Sequence, residues 1–321
     1  MYEFIGESPA IVRTREIIAK VARTNLPVLI TGPTGVGKEV VARLLHQASD
    51  RNNGFVAFDC GAISEGLIES ELFGHERGAF TGANSRRVGL VAAASGGSFY
   101  LDEIGELSPG TQTRLLRLLE QGTYRPVGAD REETSDIRVI AATWRPLQKL
   151  VESGQFRIDL YHRLSVVEIR LPALQERPSD IDILLDHFLS RASGPDGNPA
   201  TCLSEELRAR LRRYPWPGNV RELRNLVEYF CAMFPGRTVG LAELPDRYLY
   251  GESADTNIEQ YLRLDLPYLD ARREWLDVFQ VRYVRALLKA HSGNVSGAAR
   301  AAQMDRRSIQ RIIKRSMVGK G

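Results

Sequence analysis

Three groups of residues have the types and spacing to act on a phosphate. The first is GPTGVGKE: Gly32, Pro33, Thr34, Gly35, Val36, Gly37, Lys38 and Glu39. Its glycines let the backbone curl so that N–H groups face phosphate oxygens, and Lys38 brings a mobile charge to the β- and γ-phosphates. In the general pattern a Ser or Thr follows the lysine and reaches Mg2+; here Glu39 stands in that place. The second group is Asp102-Glu103, which closes the apolar run Gly97 to Leu101. Asp102 could hold Mg2+, and Glu103 could polarise an attacking water. The third is Thr143, ending the run Ile137 to Ala142, where a sensor of the γ-phosphate would sit. The plain alternatives are a glycine turn and a surface pair of acids. Context favours ATP and Mg2+ as ligands.

That context is set by the elements around each group. Pro27 to Ile30 has strand character, and Val40 to His46 has helical apolar spacing, so the glycine-rich turn lies between strand and helix as a P-loop requires. Phe55 to Asp59 reads as a further strand. Strands separated by helices, with ligand groups at their C-terminal ends, predict an α/β fold with a parallel sheet and flanking helices. Met1 to Asn25 reads as a leading helix. Between the second strand and Asp102, the loop GAFTGA (Gly78 to Ala83) carries Phe80 and Thr81 between two glycines, so that it can turn tightly and offer an apolar ring at its tip. Taken alone, such a loop is more often a simple connection.

Further along, Arg157 and Arg163 flank Asp159 and lie beside apolar residues. They read either as a structural ion pair or as arginine fingers delivered to a neighbouring subunit's γ-phosphate. Past Pro172 the pattern becomes helical and suits a lid. Within it Asn219 has the chemistry of an N-cap, and Arg221 falls in the first turn of the helix that follows, where it could sense nucleotide.

Composition narrows the class. Among 321 residues, 43% are hydrophobic and 26% charged, as in ordinary globular proteins. No apolar run is long enough to span a bilayer. Cys60, Cys202 and Cys231 form no close pair, which fits a reducing cytoplasm and argues against disulfides or zinc. Net charge is only +3, yet residues 266–321 carry 12 Lys/Arg against 4 Asp/Glu, while the rest of the chain carries 31 against 36. A basic end on a mildly acidic body suggests nucleic acid. There, two short helical stretches around a tight turn, with Arg306, Arg307, Gln310, Arg311, Lys314 and Arg315 on the second, read as a helix-turn-helix on double-stranded DNA; a basic helical hairpin is the alternative. The expected organisation is an α/β ATPase part over 1–171, a helical lid over 172–250, a polar linker over 251–265 and an all-α DNA-binding part over 266–321.

The stretches GPTGVGKE, ESELFGHERGAFTGA, GGSFYLDEIGEL, FRIDLYHRL and YPWPGNVRELRN closely resemble those of the sigma-54-dependent transcriptional activators, or bacterial enhancer-binding proteins, of the AAA+ ATPase superfamily. The C-terminal part resembles the family's Fis-type helix-turn-helix. The resemblance implies a ring, usually a hexamer, that binds ATP between subunits. It also implies hydrolysis that moves the GAFTGA loop, with Phe80 and Thr81, against sigma-54 RNA polymerase to form the open complex. Arg157 and Arg163 then match the arginine fingers, Thr143 sensor I and Arg221 sensor II, and Glu39 is the family's own usage. Because the chain opens on the ATPase part, a member regulated by a protein acting in trans, or a fragment, is expected. The rival readings are a DNA-binding regulator that uses ATP only as an assembly ligand, independent of sigma-54, and a remodeller of some other protein.

Three positions depart from the family. Asp59 replaces an asparagine thought to hold the Walker B glutamate; it either shares a proton with Glu103 or merely caps a strand end. Trp144 replaces the usual Asn or His after the sensor threonine. Gln303 replaces a glycine of the DNA-binding turn, at a cost of about 1 kcal/mol if that position is left-handed. For the second helix of the turn, Arg307→Ala is expected to cost about 1–3 kcal/mol and relax base preference, whereas Lys314→Ala should weaken all sequences and flatten the salt dependence. Footprinting across a salt series checks both.

Overall fold

The computed structural model describes residues 3–192 and 201–250, then 267–270, 272, 276, 279, 280, 283, 284, 287, 288, 291, 294–306, 308–310 and 312. The chain divides into two compact units, Met1–Leu249 and Tyr250–Gly321. Among the described residues no helix is long and apolar enough to cross a membrane.

The first unit is built on a five-stranded sheet. Its strands are β1 (Val28–Thr31), β2 (Phe55–Asp59), β5 (Ser98–Asp102), β8 (Arg138–Thr143) and β9 (Val167–Arg170), in the order β2-β5-β8-β1-β9. Every pairing is parallel, as expected, and β1 sits between β8 and β9 with Thr31 opposite Thr143. The apolar runs of β1, β5 and β8 are buried on both faces, which is why they read as continuous rather than alternating. On one face, α1 (Pro9–Val21) and α2 (Lys38–Gln47) bury Ile11, Ile18, Val41 and Leu45 against Ile30, Tyr100 and Ile140. The other face is covered by α3 (Glu65–Phe73), α5 (Pro109–Gln121), α6 (Leu147–Glu152) and α7 (Ile158–Leu164) through Leu72, Leu115, Leu150 and Leu160.

Two short hairpins interrupt this frame. Strands β3 (Gly74–His75) and β4 (Arg87–Val88) pair antiparallel and enclose the GAFTGA loop; after them α4 spans Leu90–Ala93. Strands β6 (Thr123–Tyr124) and β7 (Glu133–Thr134) form the second hairpin. The two are stitched together: Glu76 N donates to the Val127 carbonyl at 3.0 Å, Val127 N donates to the Gly74 carbonyl at 2.9 Å, and Arg86 bridges Glu76 and Glu133. The period-two pattern is too short in both hairpins to be visible in sequence.

A separate helical core lies in the same unit. Helices α8 (Asp180–Ala192), α9 (Glu205–Arg212), α10 (Asn219–Met233) and α11 (Asp246–Tyr250), with the short pair β10 (Cys202–Leu203) and β11 (Thr238–Val239), enclose Leu185, Leu207, Trp216, Leu226 and Phe230. This lid is fastened to the P-loop by Asn219. Gly218 occupies the N-cap position of α10, so Asn219 is not the cap that its side chain suggested. Asn219 has φ +53, a conformation asparagine tolerates better than other side chains, and its buried amide donates to the Thr34 carbonyl at 2.9 Å while its oxygen accepts from Leu174 N at 2.8 Å. The amide is taken by tertiary partners, which outbid the local N–H groups of a cap. A second fastening is Asp180, which accepts from Glu7 N, Ser8 N and Ser8 Oγ.

In the second unit, α12 (Val295–Ala301) starts at Asn294, whose side chain accepts from Ser296 N and Gly297 N. Val284, Ala298, Ala299, Ile309 and Ile312 form its small core. Gln303 has φ +52, so the left-handed condition attached to it is met. Arg306 and Gln310 are exposed. Arg307, Arg311, Lys314 and Arg315 lie outside the described residues, as do the expected linker residues 251–265.

Asn219→Ala is expected to lower stability to urea by about 2–4 kcal/mol, because the Thr34 carbonyl and the Leu174 N–H lose a buried partner. Asn219→Gly should cost less by about 1 kcal/mol, since it keeps the left-handed backbone available. Equal losses would remove the conformational part of the argument.

Candidate functional site

The site is the C-terminal edge of β1, β5 and β8. Thr31 leaves the sheet into the P-loop, and Gly32 N donates to the Thr143 carbonyl at 3.2 Å, so the loop's first residue is tied to the strand end that carries Thr143. Thr143 is fully buried, and its hydroxyl accepts from Arg145 N at 3.0 Å. Lys38 opens α2 and is only 7% exposed; its Nζ lies 3.2 Å from the Gly32 carbonyl and 3.4 Å from Glu103 Oε1. The P-loop thus curls over its own lysine.

Asp102 ends β5, and one of its carboxylate oxygens accepts from Glu103 N at 3.0 Å. Glu103 itself has φ +51, an uncommon conformation for a side-chain-bearing residue that turns its carboxylate away from the strand direction. That carboxylate is held at both oxygens, by Lys38 and by Trp144 N at 3.3 Å. Burial raises the Glu103 pKa above the ordinary value, against the opposing pull of Lys38 and the Trp144 N–H; the Asp102 charge adds to the rise. A carboxylate made more basic than a free glutamate is suited to take a proton from water.

The P-loop also meets the lid. Arg221 N donates to the Gly35 carbonyl at 3.2 Å, while the Arg221 side chain is exposed. A side chain at Gly35 would run into the Gly218 carbonyl at 2.4 Å, and the φ of +79 there independently calls for glycine. Glu39 turns outward into an i,i+4 ion pair with Arg43 at 2.7 Å.

Four sequence-derived expectations need comment. Asp59 does not pair with Glu103: its carboxylate accepts from Gly61 N at 2.9 Å, capping the strand end, and it is not among the charges acting on Glu103. A turn N–H offers a carboxylate a donor, which a second carboxylate cannot. Phe80 is 38% exposed but does not stand alone at a tip, because its ring packs edge-on against His75 at 5.0 Å. Gly78 N to the Ala83 carbonyl and Ala83 N to the Phe80 carbonyl fold the loop on itself, leaving Thr81 exposed. Arg157 forms the ion pair with Asp159 at 2.7 Å, and burial plays almost no part in it. Arg163 donates twice to the Leu119 carbonyl, at 3.2 and 2.8 Å, capping the last turn of α5. Both arginines lie outside the Lys38–Glu103 cluster.

Sequence reading missed the Trp144 N–H, because a backbone donor leaves no trace in residue type. It saw Asn219 but misjudged its partners.

Residues 4–170 match the sigma-54 interaction domain family, and residues 175–260 match the AAA+ ATPase lid domain. The chain is 41% identical over 97% of its length to the DNA-binding transcriptional regulator NtrC of Azospirillum brasilense, of which it covers 68%. It is equally identical, also over 97% of its length, to the transcriptional regulatory protein GlrR of Escherichia coli K12, covering 67% of it. It thus spans about two thirds of each relative. Among solved structures, NtrX of Brucella abortus in complex with ADP superposes with a TM-score of 0.73 at 34% identity, over 97% of this chain and 69% of that one. The same protein with ATP gives 0.72 at 34% identity and the same coverage.

If Glu103 is the base, its raised pKa means that the neutral acid survives to higher pH than in a free glutamate. The acid limb of kcat/KM for ATP should therefore lie above the ordinary glutamate range of about 4.3. A limb at or below that range would rule out Glu103 as the group titrating.

Proposed function

The chain belongs to the sigma-54-dependent transcriptional activators of the AAA+ superfamily, and from that membership we propose the roles its residues play in an ATP-driven opening of sigma-54 promoters. Its activity as an ATPase that binds nucleotide and regulates transcription comes with the family. The residue roles, the ring and the metal are our reading. One observation carries it: Lys38 Nζ and Glu103 Oε1, 3.4 Å apart, converge where a γ-phosphate and its attacking water would lie.

ATP would displace Glu103 from Lys38 by giving the lysine a stronger anionic partner. Freed, Glu103 stays anchored at Trp144 N and can polarise a water against the γ-phosphate, while Thr143 reports on the phosphate from the end of β8. Residues Gly32 to Glu39 would cradle the phosphates, with Arg221 approaching from the lid. Mg2+ suits this donor set: no described cluster of three or more metal-ligating side chains exists, and the ion is usually held by one or two carboxylates plus phosphates and water. Asp102, which accepts from Glu103 N at 3.0 Å and has no ion pair among the described residues, would hold the ion, which would neutralise charge between the β- and γ-phosphates.

Arg157 and Arg163 would serve a neighbouring subunit's nucleotide in a ring, as a hexamer. Their present cis partners are exposed or backbone groups, weak enough to be exchanged. The GAFTGA loop, with Phe80 and Thr81, would meet sigma-54. Its stitching to the second hairpin supports a loop that moves as a unit. Residues 266–321 would bind double-stranded DNA through the helix carrying Arg306 and Gln310, with 1–171, 172–250 and 251–265 as ATPase part, lid and linker.

Glu103→Ala should bind ATP at least as tightly as the parent, because Lys38 loses a competing partner, and lose turnover by at least about a hundredfold; Thr81→Ala should keep turnover and lose open-complex formation on a sigma-54 promoter. Turnover by Glu103→Ala at the parent rate would remove the base assignment, and loss of both activities in Thr81→Ala would make the loop structural. Mixing Arg163→Ala subunits with Lys38→Ala subunits should restore part of the activity, since one site can take an intact half from each. Co-assembled mixtures no better than the separate variants would exclude fingers in trans.

A further inference from the structure

Beside the P-loop, one buried group goes unused in this account. The Tyr100 side chain is 2% exposed, and its hydroxyl is one of three buried side-chain polar atoms with no hydrogen-bond partner among the described residues. The other two, Arg138 Nε and Arg177 Nε, belong to guanidinium groups that donate to backbone carbonyls through other nitrogens, both Nη1 and Nη2 in Arg138 and Nη2 in Arg177. Tyr100 has only the one polar atom. A buried hydroxyl without a partner is costly, and each such group calls for an explanation.

Its position supplies one. Tyr100 and Asp102 are two apart on β5, so both face α2, and two residues of strand advance about 6.6 Å. Strand side chains lean along the strand direction, and a tyrosine is long enough to carry its hydroxyl to the level of the second residue on. The ring is fixed for this reach by stacking on Phe55 at 5.8 Å and by burial with Val36 and Val41. The Asp102 carboxylate is the nearby acceptor at that level, though no bond of ordinary geometry closes between it and the hydroxyl. Meanwhile the position after Lys38, where a general P-loop keeps a hydroxyl for the metal, is held by Glu39, which faces Arg43.

We infer that Tyr100 is a positioning residue for the metal: when nucleotide and Mg2+ are bound, its hydroxyl donates a hydrogen bond to the Asp102 carboxylate and fixes the oxygen that faces the ion. A hydroxyl absent from α2 is thus supplied from β5, one step removed from the metal. Loss of an outer partner of this kind typically weakens metal binding about tenfold or more. The inference rests on the reading of Asp102 as the metal ligand.

The test uses the full chain with ADP, which is not consumed, and Mn2+ as the probe, following free Mn2+ by electron paramagnetic resonance. Tyr100→Phe keeps the ring and removes only the hydroxyl; it should raise the Mn2+ dissociation constant about tenfold and leave ADP affinity in EDTA unchanged. Mn2+ binding within about twofold of the parent overturns the inference, as does an equal loss of ADP affinity in EDTA, which would mean that the substitution disturbs packing. Asp102→Asn belongs in the same series. Parent-like Mn2+ binding by Asp102→Asn removes the metal-ligand reading and the inference with it. Mn2+ loss in Asp102→Asn alone overturns only the role of Tyr100.

Discussion

The structure depends on what a buried lysine does before a phosphate arrives. In the proposed role Lys38 would reach the γ-phosphate from deep under the P-loop, and an ammonium so enclosed needs a partner at all times. Here the partners are Gly32's carbonyl and the carboxylate of Glu103. The pair satisfies both charges and withholds both from chemistry. Either charge left alone there would be poorly solvated, so in the proposed role phosphate would replace Glu103 in a nearly concerted exchange. The left-handed turn at Glu103 and the bond to Trp144 N keep the carboxylate within reach during that exchange. Strain at this position has a use: an extended backbone would send the side chain along β5 and away from the loop.

The second constraint is that the phosphate cradle is also the seat of the lid. Gly35 leaves no room for a side chain against the Gly218 carbonyl, Arg221 N reaches the Gly35 carbonyl, and Asn219 holds the Thr34 carbonyl. Three lid residues within one turn, Gly218, Asn219 and Arg221, therefore press on two consecutive loop residues, Thr34 and Gly35. A phosphate that reshapes the loop backbone must be felt by α10. The coupling runs through backbone groups, whose hydrogen bonds are directional and short. It therefore transmits displacement better than the exposed ion pairs that decorate the lid.

What sequence revealed follows from the kind of signal each feature leaves. The sheet was legible because strands buried on both faces read as unbroken apolar runs, with β1 leading into the glycine-rich loop and β5 and β8 ending in Asp102 and Thr143. The edge strand β9 was not, since Val167–Arg170 alternates apolar and charged over four residues only. The hairpins β3–β4 and β6–β7 escaped for the same reason, having two residues per strand. Site residues were legible by type, whereas their partners were not. Asp59 could be named as unusual, but only the turn at Gly61 decides that its carboxylate takes a backbone N–H. Asn219 could be recognised as a capping type, but the competition between a cap and two distant backbone groups is settled by tertiary contacts absent from local sequence.

The two arginines proposed as fingers show how one residue can serve two states. Arg163 caps the C-terminus of α5, where the helix leaves carbonyls without partners, and Arg157 holds an exposed carboxylate two residues away. Neither arrangement is strong. An exposed pair such as Arg157–Asp159 is weak because water screens it, and a cap on one carbonyl can be replaced by water. A γ-phosphate offered by another subunit, in a site from which water is excluded, would outcompete either. If the two arginines are fingers, the same weakness would guard against idle turnover, because within one chain they stay with their own helix. Assembly then supplies the missing charge, and the ATPase would be complete only where the loop is positioned to use its motion.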